Sequence, residues 1–262
     1  MKNNIFNLEN RVAIVTGGNG HLGSSISEGL AEAGADVIIT GKNQEKIEQI
    51  SNKINQNVSS NVTSKFLDIQ NQDSITNCFQ EIIEENGRID ILVNNASTLP
   101  TGKFNDLSNT EWDNGIDGTI NGVFRCTKTI IPYLEKSNNA SIINIGSIYG
   151  EVSPDPSIYE NSGYNSPPQY GAGKAAILQF TRYCAIHLAK QSIRVNSISP
   201  GSFPKPEIIK NEKFINNLKN KIPLHRIGNP DEMKGVVIFL ASDASSYITG
   251  ENIHVDGGWT CW

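Results

Sequence analysis

Tyr170 and Lys174 stand four residues apart in the stretch "SPPQYGAGK", residues 166–174. In a helix that spacing puts both side chains on one face. A lysine ammonium beside a phenol disfavours the neutral phenol and lowers its pKa. A phenol tuned in this way is a usable general acid or base toward an oxygen atom. Ser147 leaves an apolar run, residues 141–146, and is a candidate to hydrogen-bond a substrate oxygen beside that phenol. A Tyr-x-x-x-Lys pair alone describes many exposed helix faces. A second motif far upstream, "TGGNGHLG" at residues 16–23, changes its meaning. Gly17, Gly20 and Gly23 recur at every third residue. Gly17 suits a sharp turn, Gly20 a close approach of backbone N–H groups to a pyrophosphate, and Gly23 tight packing of a helix on a sheet. A helix N-terminus then faces the negative charge.

Short β-rich runs alternate with helix-like stretches and supply the frame. The strand candidates are residues 11–16, 36–40, 63–68, 89–94, 141–146, 194–199 and 252–256. Most are continuous apolar runs, as strands buried on both faces should be. Between them, residues 24–33, 44–54, 73–85 and 175–190 carry apolar residues at helical spacing. Ser166 reads as the cap of the last helix and Pro167 as its first residue. Alternating βαβα predicts an α/β fold, a doubly wound parallel sheet of about seven strands with helices on both faces. No repeat or linker divides the chain, so one Rossmann-type domain over residues 1–262 is expected. Ligands of such sheets bind beyond the carboxyl ends of the strands. Six strand ends converge there, with the glycine turn, Gly41-Lys42, Asp68, Asn94-Asn95-Ala96, Ser147 and Pro200-Gly201.

The end of the second strand selects the cofactor. A carboxylate there favours NAD, and a cation favours the 2′-phosphate of NADP. Here the residues are Thr40-Gly41-Lys42-Asn43, so NADP(H) is favoured and NAD(H) remains open. Asp68 and Ile69 are candidates for the adenine edge, although an aspartate capping the next helix would look the same. Asn19, His21 and Leu22 in the turn, Asn95, Pro200 and Phe203 complete the expected cofactor set with Gly17, Lys42, Tyr170 and Lys174.

Composition excludes other classes. The net charge is −5 and no basic stripe appears, which argues against nucleic acid. No apolar run approaches the roughly 18 residues of a membrane span. Four cysteines without a C-x-x-C pair, and no secretory signal, read as a cytoplasmic chain with reduced thiols. Four scattered histidines show no metal-ligand spacing, and no metal is expected.

Taken together, Thr16 to Gly23, Asp68, Asn94-Asn95-Ala96, Ser147, Tyr170-x-x-x-Lys174, "RVNSISPG" (194–201) and "ITGENIHVDGG" (248–258) resemble the short branch of the short-chain dehydrogenase/reductase family over nearly the whole chain. Members labelled gluconate dehydrogenase-like or 3-oxoacyl-carrier-protein reductase-like are the most similar in this respect. The resemblance implies that Tyr170 exchanges a proton with a carbonyl or alcohol. It implies that Lys174 holds the nicotinamide ribose and tunes the phenol, and that Ser147 positions the substrate oxygen. It also implies a homotetramer or dimer, with the helix over 168–190 and the C-terminal tail as natural contacts.

Four departures from the family pattern stand out. His21 occupies a position where glycine is usual, and the glycine spacing becomes T-G-x-x-G-x-x-G. Where the family has a relay asparagine seven residues after a tryptophan, counting from Trp112 gives Thr119; Asn121 should face elsewhere, about 200° around the helix. Ser147 and Tyr170 are 23 residues apart, against about a dozen in typical members, and an extra loop of this kind is often functional. That loop, about 148–168, holds prolines and three tyrosines, and is expected to cover a polar substrate. Lys205 follows "SFP" where a threonine is usual; backbone groups at Ser202 and Phe203 are candidates to replace it. The expected reaction is NADP(H)-dependent interconversion of a ketone and a secondary alcohol on a sugar- or polyol-like compound. A 3-oxoacyl-carrier-protein reductase and a non-catalytic dinucleotide-binding protein are the alternatives, and a sugar-nucleotide epimerase is a remote third.

Overall fold

Seven apolar runs become seven parallel strands: β1 (Val12–Thr16), β2 (Asp36–Gly41), β3 (Val62–Phe66), β4 (Ile91–Asn94), β5 (Ala140–Ile145), β6 (Ile193–Pro200) and β7 (Asn252–Val255). The computed structural model describes residues 4–98, 102–159, 162 and 164–262. The strands lie in the order β3-β2-β1-β4-β5-β6-β7, all in parallel register. The order reverses between β1 and β4, which opens a crevice at their carboxyl ends.

Alternate residues of each strand serve opposite faces of the sheet. Ala13 and Val15 of β1 pack with Ile26 and Leu30 of α1 (Gly23–Glu32), Ile47 of α2 (Gln44–Asn55) and one further helix described below. Val12 and Ile14 pack on the other face with Ile75, Phe79 and Ile82 of α3 (Gln72–Asn86). Past α4 (Asn109–Ile116) a single π-helical turn, Asp117–Asn121, leads into α5 (Gly122–Leu134), whose Ile130 and Leu134 join that second core. A short α6 (Pro156–Tyr159) precedes the long α7 (Pro168–Leu188). The chain closes with α8 (Pro206–Ile209), α9 (Glu212–Lys221) and α10 (Glu232–Ala241). Met233, Val237 and Leu240 of α10 complete the first core.

A third, smaller core unites distant segments. Ile148 and Ile158 from the inserted loop pack with Phe214, Ile215 and Leu218 of α9 and with Trp259. The extra loop is therefore anchored on its own apolar cluster.

The start of α7 departs from expectation. Pro167 is the last extended residue, at φ −73° and ψ 150°, and no side chain caps the helix. Ser166 is thus not the cap, and Pro168, not Pro167, takes the first helical position. A proline forces the residue before it into an extended conformation, so the second of two prolines sets the boundary. The helix begins seven residues ahead of the apolar periodicity that signals it from residue 175.

Candidate active site

Several helix starts are satisfied by side chains. Asn43, Asn71, Ser108 and Asn211 each accept a backbone N–H at the starts of α2, α3, α4 and α9. The start of α1 has no side-chain cap, and it faces the crevice. The glycine turn leading into it is close-packed. Gly17 has φ +62°, and a Cβ there would lie 2.9 Å from Ala96 Cα. At Gly23 a Cβ would lie 2.2 Å from the Gly17 carbonyl oxygen. Asn95 locks this arrangement by donating through Nδ2 to the carbonyls of Thr16 and Gly17, 2.9 Å each. Thr16 Oγ1 accepts the N–H groups of Asn95 and Ala96 in return. The asparagine positions the turn with its side chain.

A cleft of ≈ 380 Å³ runs from this turn across the switch point. It is lined by Gly17, Asn19, His21, Leu22, Lys42, Asp68, Ile69, Asn95, Pro200, Tyr170 and Lys174. Phe203 is not on it. Its ring packs over Gly228 and faces an adjoining cavity of ≈ 480 Å³, which also holds Ser147. Leu22, Tyr170 and Pro200 border both spaces. Composition and spacing did not single out Gln70, Ser97 and Thr98, which also line the cleft. They directly extend the Asp68-Ile69 and Asn94-Asn95-Ala96 stretches, and that adjacency is the signal that could have found them.

Lys42 and Asp68 are neighbours, with Nζ 3.5 Å from Oδ2. Asp68 does not cap α3, which Asn71 does. Its other oxygen accepts the Gln70 N–H at 3.0 Å in a local turn.

The catalytic candidates come together, with one electrostatic difference from expectation. Tyr170 is partly buried, and desolvation raises the phenol's pKa above its ordinary value against a hydrogen bond from Ser147. The lysine does not lower it. Lys174 Nζ donates 2.7 Å to the Ile145 carbonyl and lies 5.7 Å from the Tyr170 ring centre. Burial lowers the Lys174 ammonium to about 8. Ser147 Oγ accepts the Tyr149 N–H at 3.2 Å, which fixes the hydroxyl at the end of β5.

Thr119 is fully buried in the π-turn and donates to the Gly115 carbonyl at 2.7 Å. It packs on α7, where a Cβ at Gly173 would lie 2.9 Å from its own Cβ. Its hydroxyl keeps only acceptor capacity toward the site. Asn121 faces outward and bonds Asp117, as expected. Beneath the cleft a buried amide ladder went unread in the sequence. Asn94 Nδ2 donates to Asn144 Oδ1 at 2.8 Å, and Asn144 Nδ2 to Thr181 at 2.9 Å. Its only sequence signal is an asparagine inside each of two apolar strands.

The inserted loop walls the Ser147 cavity with Tyr149, Tyr159 and Tyr164. Tyr149 and Tyr159 pair through their hydroxyls at 3.0 Å, and the rings of Tyr159 and Tyr164 pack on Phe214. Ile148, Phe203, Ile208 and Leu218 make the rest of the wall largely apolar. Residues 160, 161 and 163 of this loop lie outside the described residues.

Comparison with known proteins agrees with this geometry. The family described as enoyl-(acyl carrier protein) reductase matches residues 19–260. A 3-oxoacyl-[acyl-carrier-protein] reductase of Thermotoga maritima is 34% identical over 96% of this chain and 98% of its own. The Pseudomonas aeruginosa RhlG/NADP active-site complex superposes with a TM-score of 0.89 at 31% identity, over 97% of this chain and 98% of the other. A putative gluconate dehydrogenase from Agrobacterium tumefaciens gives 0.88 at 30%, over 97% and 98%.

Proposed function

The chain belongs to the short-chain dehydrogenase/reductase family, and we propose that it uses NADP(H) to interconvert a ketone and a secondary alcohol on a small polar, sugar- or polyol-like compound. The observation that carries this reading is the meeting of Ser147, Tyr170 and Lys174 where two cavities join. The uncapped start of α1, the close-packed glycine turn and Lys42 fit a dinucleotide in the first cavity. When bound, its nicotinamide supplies or accepts the hydride.

The protein's own part is positioning and proton transfer. Ser147, held by the Tyr149 N–H, directs its hydroxyl at the reacting oxygen. The neutral Tyr170 phenol donates its proton to that oxygen in reduction. Lys174, which donates to the Ile145 carbonyl and lines the first cavity, would hold the nicotinamide ribose beside the phenol. The same groups run in reverse during oxidation, with the phenolate as base.

NADP(H) preference is supported by the absence of a carboxylate at 40–43 and by Lys42 on the cleft. The Lys42–Asp68 contact of 3.5 Å is long and half exposed, and a phosphate can compete for the lysine. Polar groups on Tyr149, Tyr159, Asn165 and Ser166 support a hydroxylated substrate. The apolar remainder of the wall, with the Thermotoga relative, favours a 3-oxoacyl thioester as the second reading. Exposed Phe124, Tyr183 and Ile186 on α5 and α7 support a homotetramer or dimer. Of the two C-terminal tryptophans Trp259 is buried and Trp262 exposed, so only the second is available to a partner subunit. Four free cysteines, three of them buried, support a cytoplasmic setting. Among the described residues no helix is long and apolar enough to cross a membrane.

Fluorescence titration with NADPH and NADH, followed by keto-sugars and acetoacetyl thioesters, tests the reading. Tighter NADPH binding is expected, reduced about tenfold or more in Lys42→Ala by loss of a charged hydrogen bond. Turnover of keto-sugars is expected in the wild type and absent in Tyr170→Phe. Equal affinities, or turnover of thioesters alone, would replace the cofactor or substrate assignment respectively.

A further inference from the structure

The cavity that holds Ser147 and Tyr170 is built from two unlike stretches of chain. The inserted loop supplies polar groups, the hydroxyls of Tyr149, Tyr159, Tyr164 and Ser166 and the amide of Asn165. The stretch from β6 through α9 supplies apolar ones, Phe203, Pro204, Ile208, Phe214 and Leu218. Among the described residues, no Asp, Glu, Lys, Arg or His lines this space of ≈ 480 Å³. The charged residues of the neighbouring chain are engaged or placed elsewhere. Glu151 Oε1 lies 2.9 Å from His254 Nε2, and Asp155 pairs with Lys221 at 2.7 Å. Lys42, Lys174 and Lys205 border the first cavity instead. Lys210 and Lys213 are exposed and do not line the second. Glu160 lies outside the described residues, and as an acid it is no partner for an anion.

We infer that the substrate is uncharged: a neutral hydroxylated ketone or its alcohol, with no carboxylate or phosphate seated in this cavity. The inference rests on the ketone reading above and names the charge class of its substrate.

An ion taken out of water is strongly disfavoured unless an opposite charge or several hydrogen bonds replace its hydration. This cavity offers an anion no opposite charge. It does offer neutral hydroxyl groups what they need. Tyr149 and Tyr159 share one hydrogen bond of 3.0 Å, so one hydroxyl hydrogen of the pair is left to donate and both oxygens can accept. The cavity already disfavours negative charge on its own phenols. Burial, the largest effect on each, pushes Tyr149, Tyr159 and Tyr170 above the ordinary phenol value. A carboxylate set among these rings meets the same environment. A dinucleotide in the first cavity brings further negative charge and engages the lysines there.

The test compares probes matched in skeleton and different in charge: methyl acetoacetate against acetoacetate, and D-fructose against D-fructuronate, each with NADPH near pH 7. The expected kcat/KM favours the neutral member of each pair by about a hundredfold or more. Binding of the same pairs to the NADP⁺ complex, read by intrinsic fluorescence, should follow the same order, and it decides the comparison where turnover is slow. Ile208→Lys then puts a cation on the apolar side at a half-buried position, with Ile208→Met as control. NADPH binding by both variants shows that they fold. The lysine should narrow the gap about tenfold by raising use of the anions, and the methionine should leave it. Equal use of both members, or preference for the acids, overturns the neutral class while leaving the dinucleotide and ketone readings intact. A gap unmoved by Ile208→Lys places its cause outside this cavity and overturns the inference as well. Neither turnover nor binding of any of the four, with dinucleotide bound, overturns the ketone reading and this inference with it.

Discussion

Gly23→Ala tests how far the cofactor turn depends on one missing methyl group. The new Cβ would stand 2.2 Å from Gly17 O, 2.7 Å from Asn95 Nδ2 and 2.9 Å from Gly18 Cα. Two of these three neighbours are backbone. Ordinary contact begins near 3.4 Å, so the turn must open by about 1 Å. The Gly17 carbonyl cannot yield freely, because it also accepts Asn95 Nδ2 and the Gly20 N–H, both at 2.9 Å. Overpacking costs about 1–3 kcal/mol, and each weakened hydrogen bond adds about 1 kcal/mol. The sum, roughly 3–5 kcal/mol, lowers the melting temperature by about 5–9 °C at this chain size. Dinucleotide affinity should fall about a hundredfold if some 3 kcal/mol of turn geometry is lost at the ligand. Gly235→Ala is the control. It sits exposed inside α10 with nothing within 4 Å of a new Cβ. It should gain about 0.5–1 kcal/mol from helix propensity. Differential scanning calorimetry and NADPH titration read both variants. A Gly23→Ala protein that melts with wild type and binds with unchanged affinity would refute the close-packed turn.

Other perturbations separate stability from chemistry. Lys174 is charged and buried at pH 7 with its pKa lowered to about 8, which costs folding about 3 kcal/mol relative to a free lysine. Lys174→Met should therefore lose turnover yet unfold at a higher temperature at pH 7. Because the folded pKa is depressed, the wild type recovers this cost as pH rises from about 8 toward 10.5, and the two melting curves should converge there. Asp90 is buried; burial opposes its charge, but hydrogen bonds from Arg88, Ser137 and the Val12 N–H prevail and hold its pKa below the usual carboxylate value. Asp90→Ala should cost about 3–5 kcal/mol at pH 7 by leaving these donors unpaired. That contribution is present above pH 3.8 and fades as pH falls further, so acid unfolding should be shallower in the variant. Tyr159→Phe removes one hydroxyl of the pair with Tyr149 and keeps the ring packing. With a hydroxylated substrate KM should rise several-fold at constant kcat; an unchanged KM would favour the thioester reading.

The sequence by itself determined the architecture and which strand ends line the cleft, though Phe203 falls outside it and Gln70, Ser97 and Thr98 join it. Continuous apolar runs such as residues 12–15 and 91–93 can be buried on both faces only in a parallel sheet, and every strand falls within two residues of its expected ends. The residues that follow those strands had to meet, because parallel strands present all their carboxyl ends on one edge. Tertiary structure decided what each residue experiences there. Tyr170 and Lys174 share a helix face, but burial raises the phenol and aims the lysine at the Ile145 carbonyl, 29 residues away in the chain. Lys42 reads as a free cation until β2 and β3 set it beside Asp68. The inserted loop reads as prolines and tyrosines until Ile148 and Ile158 meet Phe214 and Trp259 in a core of their own. Periodicity and spacing are local and survive in one dimension. Desolvation, charge pairing and close contact depend on distances between residues that the chain order leaves far apart.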